Sequence, residues 1–202
     1  MMNANASKGI IMNALMPLAD GVEEMEAVII TDVLRRAGWN VVTAGFGEGA
    51  VIASRGIRLL PDAVWAEARG QDYEMLVIPG GGGGVERLCA ETSVLETVRE
   101  YREQGRWIAA ICAGPLVLET AGILKGCRVT SHPAAMERLR TPTLEETPVV
   151  RDGRLLTSRG PGTALLFALS LVACESLDLA RKLAGDMVCP PETVDSLNRC
   201  FR

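Results

Sequence analysis

The chain has a single histidine, His132, and its aromatic residues are only three Trp, two Tyr and three Phe among 202 residues. Its six cysteines, Cys89, Cys112, Cys127, Cys174, Cys189 and Cys200, include no C-x-x-C pair. That spacing excludes zinc knuckles and thioredoxin-like redox pairs, and it offers no evident metal-ligand set. A disulfide framework is not expected in a chain long enough to build a good core, so the cysteines read as free thiols in a reducing, cytoplasmic compartment. No Lys/Arg run forms a stripe and the net charge is −4, which removes nucleic acid as an expected partner. No segment approaches the roughly 20 apolar residues of a membrane span. The apolar run Gly9–Ala19 behind Lys8 resembles a weak signal-peptide core. Asp20, Glu23, Glu24 and Glu26 follow it instead of a small-residue cleavage site, so it reads as a buried first strand.

What is present is 48% hydrophobic and 23% charged, the balance of a soluble globular domain. Short apolar runs alternate with helical patterns. Strands are expected at 9–16, 40–44, 73–78, 106–111 and 127–130, with hairpins over 51–60 and over 149–157 around Asp152-Gly153. Helices are expected at 22–37, 92–104, 113–121 and 161–176, several of them closed by glycine. This alternation argues for an α/β fold, a mostly parallel sheet with helices on both faces. In such folds ligands bind beyond the carboxyl ends of the strands. Residues 1–188 read as one domain. Residues 189–202, with Pro190-Pro191, lose the pattern and read as a peripheral, partly disordered tail.

Three sites carry chemistry. Ala110-Ile111-Cys112-Ala113-Gly114-Pro115 follows a buried strand and opens a helix, the strand–turn–helix elbow with cysteine as nucleophile. The helix start favours thiolate over thiol, so a lowered thiol pKa is expected for Cys112. Glu26 falls near the centre of an apolar helix face formed by Val22, Met25, Ile29, Ile30, Val33 and Ala37, with Glu24, Thr31 and Arg35 opposite. A carboxyl buried there should shift toward its protonated form, hydrogen-bond the thiolate and shuttle a proton. The run from Gly80 to Gly84 after Pro79 lets backbone approach a ligand and presents N–H groups to an oxyanion, although a flexible connection is the simpler reading of a glycine run. It matches neither a Walker A loop nor a dinucleotide fingerprint. His132, in Thr130-Ser131-His132-Pro133, is a candidate partner of the cysteine.

Together with Asp20–Glu26, Arg35-Arg36-Ala37-Gly38, Pro79-Gly80-Gly81 and Leu156–Thr163, these motifs resemble the ThiJ/PfpI superfamily, above all its small parkinsonism-associated branch, the protein deglycases. The resemblance implies a flavodoxin-like, doubly wound fold and a homodimer with a metal-free, cofactor-free site at the dimer interface. It makes Cys112 an oxidation-sensitive nucleophile, Glu26 its protonated partner, and Gly81 and Ala113 the oxyanion donors. Gly80, Arg36, Arg55 and Pro161 would contact substrate, some of them from the partner subunit, with His132 near the thiol but poorly placed as a base. Pro17-Leu18-Ala19-Asp20 would lengthen the loop before Glu26 relative to that branch. The activity implied is conversion of reactive dicarbonyls (methylglyoxal to lactate, glyoxal to glycolate) or of their adducts with protein or nucleotide. The alternatives are an oxidative-stress sensor or chaperone acting through oxidation of Cys112, and a hydrolase of reactive acyl or anhydride metabolites.

Overall fold

The computed structural model describes residues 12–201. In chain order the elements are β1 (Asn13–Leu18), α1 (Glu24–Arg36), β2 (Asn40–Gly45), β3 (Val51–Ile52), β4 (Arg58–Leu59), β5 (Ala63–Val64), α2 (Trp65–Ala68), β6 (Met75–Ile78), α3 (Gly82–Ala90), α4 (Thr92–Glu103), β7 (Trp107–Ile111), α5 (Pro115–Thr120) and β8 (Arg128–Val129). There follow α6 (Pro133–Met136), β9 (Thr143–Leu144), β10 (Val149–Asp152), β11 (Leu155–Ser158), a 3-10 turn at Pro161–Thr163, α7 (Ala164–Ala173), α8 (Leu177–Asp186) and α9 (Pro191–Cys200).

Seven strands form the central sheet in the order β10-β11-β7-β6-β1-β2-β5. All its pairings are parallel except β10 with β11, which closes one edge as an antiparallel hairpin. Side chains alternate across the sheet with the period of two that a pleated strand imposes. Ala14, Met16 and Leu18 of β1, Met75 and Val77 of β6, and Ala109 and Ile111 of β7 face one core with α1, α7 and α8. Leu15, Leu76, Ile78, Ile108 and Ala110 face the other, with α4 and α5. Both faces are covered, so the central strands read as continuous apolar runs.

Four expectations change. The part of the first strand placed at 9–11 lies outside the described residues, and β1 continues through Pro17 and Leu18 rather than opening a longer loop. Proline is tolerated there because β1 pairs with β6 only at Ala14 and Leu15, leaving Pro17 opposite β2 alone. Met25, expected on the core face of α1, is 53% exposed, whereas Glu24, expected outside, is buried. The buried face of α1 is instead Glu26, Ala27, Ile30, Val33 and Leu34. The chain after Cys189 forms α9, which buries Leu197 and packs against α7, α8 and β10. Finally, the glycine run is not a free connection, since Gly82-Gly83-Gly84 open helix α3.

Candidate active site

Cys112 sits between β7 and α5 with φ 61°, one of two non-glycine residues with positive φ among the described residues. A side chain in this left-handed region costs of order 1–3 kcal/mol and persists only where the surroundings enforce it. Here they do. Cys112 N–H donates to Ser158 O at 3.0 Å, and its carbonyl accepts from His132 N at 3.0 Å and from the Ser131 hydroxyl. Gly114 completes the turn, where a Cβ would lie 2.6 Å from Ile78 O and 2.9 Å from Ile111 O. Glycine two residues after the nucleophile is therefore a steric requirement of the elbow.

Glu26 projects from the first turn of α1 and is fully buried. Its Oε2 accepts the Gly80 N–H at 2.7 Å. Its Oε1 is buried with no hydrogen-bond partner within the protein among the described residues, and so is the oxygen able to carry a proton. Burial pushes this carboxyl up to about 7, against the pull of the Gly80 N–H and the Cys112 thiol. Burial, and then the negative charge of Glu26, push the Cys112 thiol up to about 12, against the N–H groups of Gly81 and Ala113. The lowered thiol pKa expected from the elbow is thus not what a single chain provides. The repulsion from Glu26 disappears once that carboxyl is protonated, so thiol and carboxyl act as a pair in which the thiolate costs less while Glu26 holds a proton, with burial still opposing it.

The glycine run is explained by close backbone packing. A Cβ on Gly80 would lie 2.5 Å from Cys112 Cβ, 2.7 Å from Glu26 Oε2 and 2.9 Å from Cys112 Sγ. On Gly81, at φ 91°, it would lie 2.2 Å from Gly21 O, and on Gly84 it would lie 2.8 Å from Val22 N. Gly82 faces open space. The loop thus locks β6 against the segment leading into α1, with Glu23 N–H donating to Gly80 O at 3.0 Å.

A cavity of about 360 Å³ lies over Cys112 and gathers Gly81, Ala113, Arg55, His132 and Pro161 around it. Arg55 is presented by the β3–β4 hairpin, which buried Glu24 ties down. Glu24 accepts from the Ser54 hydroxyl at 2.7 Å and from Arg55 N–H at 2.8 Å. Burial opposes its charge, but its own backbone, Ser54 and Arg55 outweigh that and hold the carboxyl below its ordinary value. His132 caps α6 by accepting the Ala134 N–H on Nδ1 at 3.3 Å. In neutral imidazole that leaves the proton on Nε2, so that neither ring nitrogen is free to act as a base. Arg36 is not brought to the cavity of this chain; it pairs with Asp32 at 2.6 Å on the exposed last turn of α1. Glu23, Ser54 and Arg138 also line the cavity, and sequence reading did not single them out for it. Arg138 had no motif around it, whereas the position of Ser54 beside Arg55 was a usable signal. No group of three or more His, Cys, Asp or Glu able to hold a metal occurs among the described residues.

A mostly parallel, doubly covered sheet with a strained cysteine elbow beyond its carboxyl edge and a buried glutamate beneath it defines a flavodoxin-like α/β protein with a cysteine site. The chain belongs to the DJ-1/PfpI family, whose model matches residues 12–174. It is 43% identical over 176 residues to protein dj-1beta of Drosophila melanogaster, covering 86% of this chain and 90% of that one. It is 45% identical over 160 residues to protein DJ-1 homolog B of Arabidopsis thaliana, covering 78% of this chain but only 36% of the longer plant protein. The glutathione-independent glyoxalase DJR-1.2 of Caenorhabditis elegans is 35% identical over 161 residues, 78% of this chain and 84% of that one. The crystal structure of Drosophila melanogaster DJ-1beta superposes with a TM-score of 0.87 at 38% identity, over 90% of this chain and all of that one.

Proposed function

We propose that this chain is a cysteine-dependent, cofactor-independent enzyme of glyoxalase or deglycase type, converting methylglyoxal to lactate and glyoxal to glycolate, or releasing their adducts. The Cys112 thiolate attacks the aldehyde carbon, and the oxyanion formed is held by the Gly81 and Ala113 N–H groups and takes the proton of Glu26, giving a hemithioacetal and a Glu26 carboxylate. That carboxylate takes the proton from the same carbon and returns it to the neighbouring carbon as the enediol becomes a 2-hydroxy thioester. The hydroxyl proton of the hemithioacetal ends on the neighbouring oxygen, and a proton of water returns to Glu26 when the thioester is cleaved. Water then cleaves the thioester, giving the hydroxy acid and restoring the thiol, so the sum is dicarbonyl plus water to hydroxy acid. The observation that carries this reading is the placement of a fully buried carboxyl, Glu26, behind the strained Cys112 elbow that opens on the cavity, with its pKa raised by that burial. The name of the Caenorhabditis elegans relative supports it.

The test is lactate formation from methylglyoxal by the purified protein without glutathione or added metal. Cys112→Ser should abolish it, and Glu26→Gln should lower it at least about a hundredfold while leaving Cys112 open to alkylation. Wild-type turnover by Glu26→Gln would sink the mechanism.

The working unit proposed is a homodimer in the cytoplasm. Met25 and Val28 on α1 and Leu60 beyond β4 are exposed apolar residues, and Val28 and Leu60 line one groove, the kind of face a second copy covers. Val28→Glu should shift the protein to monomer in sedimentation. A Cys112→Ser chain mixed with an Arg55→Ala chain should recover activity if the partners share a site. An oxidation sensor is the second reading, favoured by the partial exposure of Cys112 beside two backbone N–H groups that would hold a sulfinate. Slow turnover combined with oxidation-dependent binding of a partner protein would select it.

A further inference from the structure

Arg138 is the least committed cation in the cavity over Cys112. Its backbone is fixed, since its N–H donates to Ala135 O at 3.0 Å and buried Ala135 and Leu139 anchor the segment on either side. Its guanidinium has no hydrogen bond or ion pair among the described residues, whereas Arg55 donates to Ser54 O and Arg87 to Asp20 O and Gly83 O. The acids nearby do not claim it. Glu119, in the adjoining hollow that Arg138 also lines, already accepts from Arg140 N, Thr141 N and the Thr141 hydroxyl. Glu23, inside the cavity, lies 3.0 Å from the Ser54 hydroxyl, whose proton is directed to Glu24, and makes no ion pair with Arg138. Arg138 is exposed and lines the same cavity as Cys112, and an unpaired guanidinium at the wall of that cavity is able to receive an oxyanion.

We infer that Arg138 is a specificity-determining residue that selects electrophiles carrying a carboxylate, holding that group while the electrophilic carbon meets Cys112. This deepens the proposed function and rests on Cys112 being the nucleophile. It also gives the hydroxy-acid product of that reaction a counter-charge as it forms. The preferred members of the proposed substrate class are then carbonyl compounds with an acid group a few bonds from the reacting carbon, taken ahead of methylglyoxal and glyoxal by the same thiol.

The test reads the thiol directly and needs no turnover. Full-length protein is alkylated with two size-matched pairs, iodoacetate against iodoacetamide and 3-iodopropionate against 3-iodopropionamide. In each case the thiolate displaces iodide. The rate at Cys112 is followed by the mass of its peptide, which separates it from the other five thiols. Relative to free cysteine, the charged-to-neutral rate ratio at Cys112 should be raised about fivefold in at least one pair. Arg138→Gln should return the charged-to-neutral ratio to that of free cysteine, the ratio cancelling any change in the reactivity of the thiol itself, and Arg138→Lys should keep part of the preference. A ratio that Arg138→Gln does not change overturns the inference and leaves the proposed function standing. A Cys112 inert to the neutral reagents overturns both.

Discussion

Gly80 donates its N–H to Glu26 Oε2 at 2.7 Å and leaves no space for a side chain between that carboxyl and Cys112. One backbone position therefore fixes both members of the coupled pair. Gly80→Ala should cost about 1–3 kcal/mol through overpacking and reduce turnover far more than stability suggests. Gly82→Ala, whose Cβ meets nothing within 4 Å, should leave the fold intact and stabilise helix α3 by up to about 1 kcal/mol. Melting temperatures of the two variants check this, and similar losses in both would refute the packing account.

Glu26 sets a pH dependence of stability. Its folded-state pKa of about 7 lies above its ordinary value of 4.5, so between those values the folded chain keeps a proton that the unfolded chain has lost. The contribution is fully present below about 4.5 and is lost as pH rises through 7, a change on the order of 3 kcal/mol. Urea denaturation at pH 5 and pH 8 should show this fall in wild type relative to Glu26→Gln. Parallel curves for the two proteins would show that the carboxyl is not raised.

The same substitution should lower the pH at which Cys112 becomes reactive, because it removes the negative charge that helps push the thiol up. Cys174, raised to about 12 by burial, serves as the unresponsive control. Alkylation rate against pH is the measurement, and an unchanged Cys112 midpoint would uncouple the pair.

Glu24 acts on the hairpin rather than on chemistry. Glu24→Ala strips acceptors from the Ser54 hydroxyl and the Arg55 N–H, so it should cost about 1–3 kcal/mol. It should also raise KM more than it lowers kcat, since Arg55 loses its fixed position. Unfolding curves and steady-state kinetics test the two halves separately.

Leu197 ties the last helix to the body of the protein. It is fully buried, and Leu197→Ala should destabilise the protein by about 2–5 kcal/mol. A loss under about 0.5 kcal/mol would show α9 to be loosely attached.

Much of this architecture was legible in the sequence. Strand–helix alternation announced the parallel sheet, and the small residues around Cys112 announced the elbow. Glu26 stood out as a carboxyl among apolar neighbours on one helix face. What stayed hidden has physical reasons. Glycine is a poor helix former, so Gly82-Gly83-Gly84 concealed the start of α3. On a helical wheel an apolar residue such as Met25 looks the same whether it faces the core or lies exposed. Pro190-Pro191 suggested a break, yet the second proline occupies the first turn of α9, where its missing N–H costs nothing. Arg138 sits in no pattern at all, because its place at the cavity wall depends on where α6 is packed in the fold rather than on any local motif.

The backbone at Cys112 has an evolutionary consequence. At φ 61° glycine is the residue that local stability would choose, and any side chain there is a standing cost of order 1–3 kcal/mol. A lineage that ceased to need the thiol would gain backbone freedom by drifting to glycine, losing only one carbon, one sulfur and the partial packing of Cys112 against the core. Cysteine at this position stands against the preference of its own backbone, and its replacement by glycine in a relative would mark a descendant that has given up the chemistry while keeping the fold.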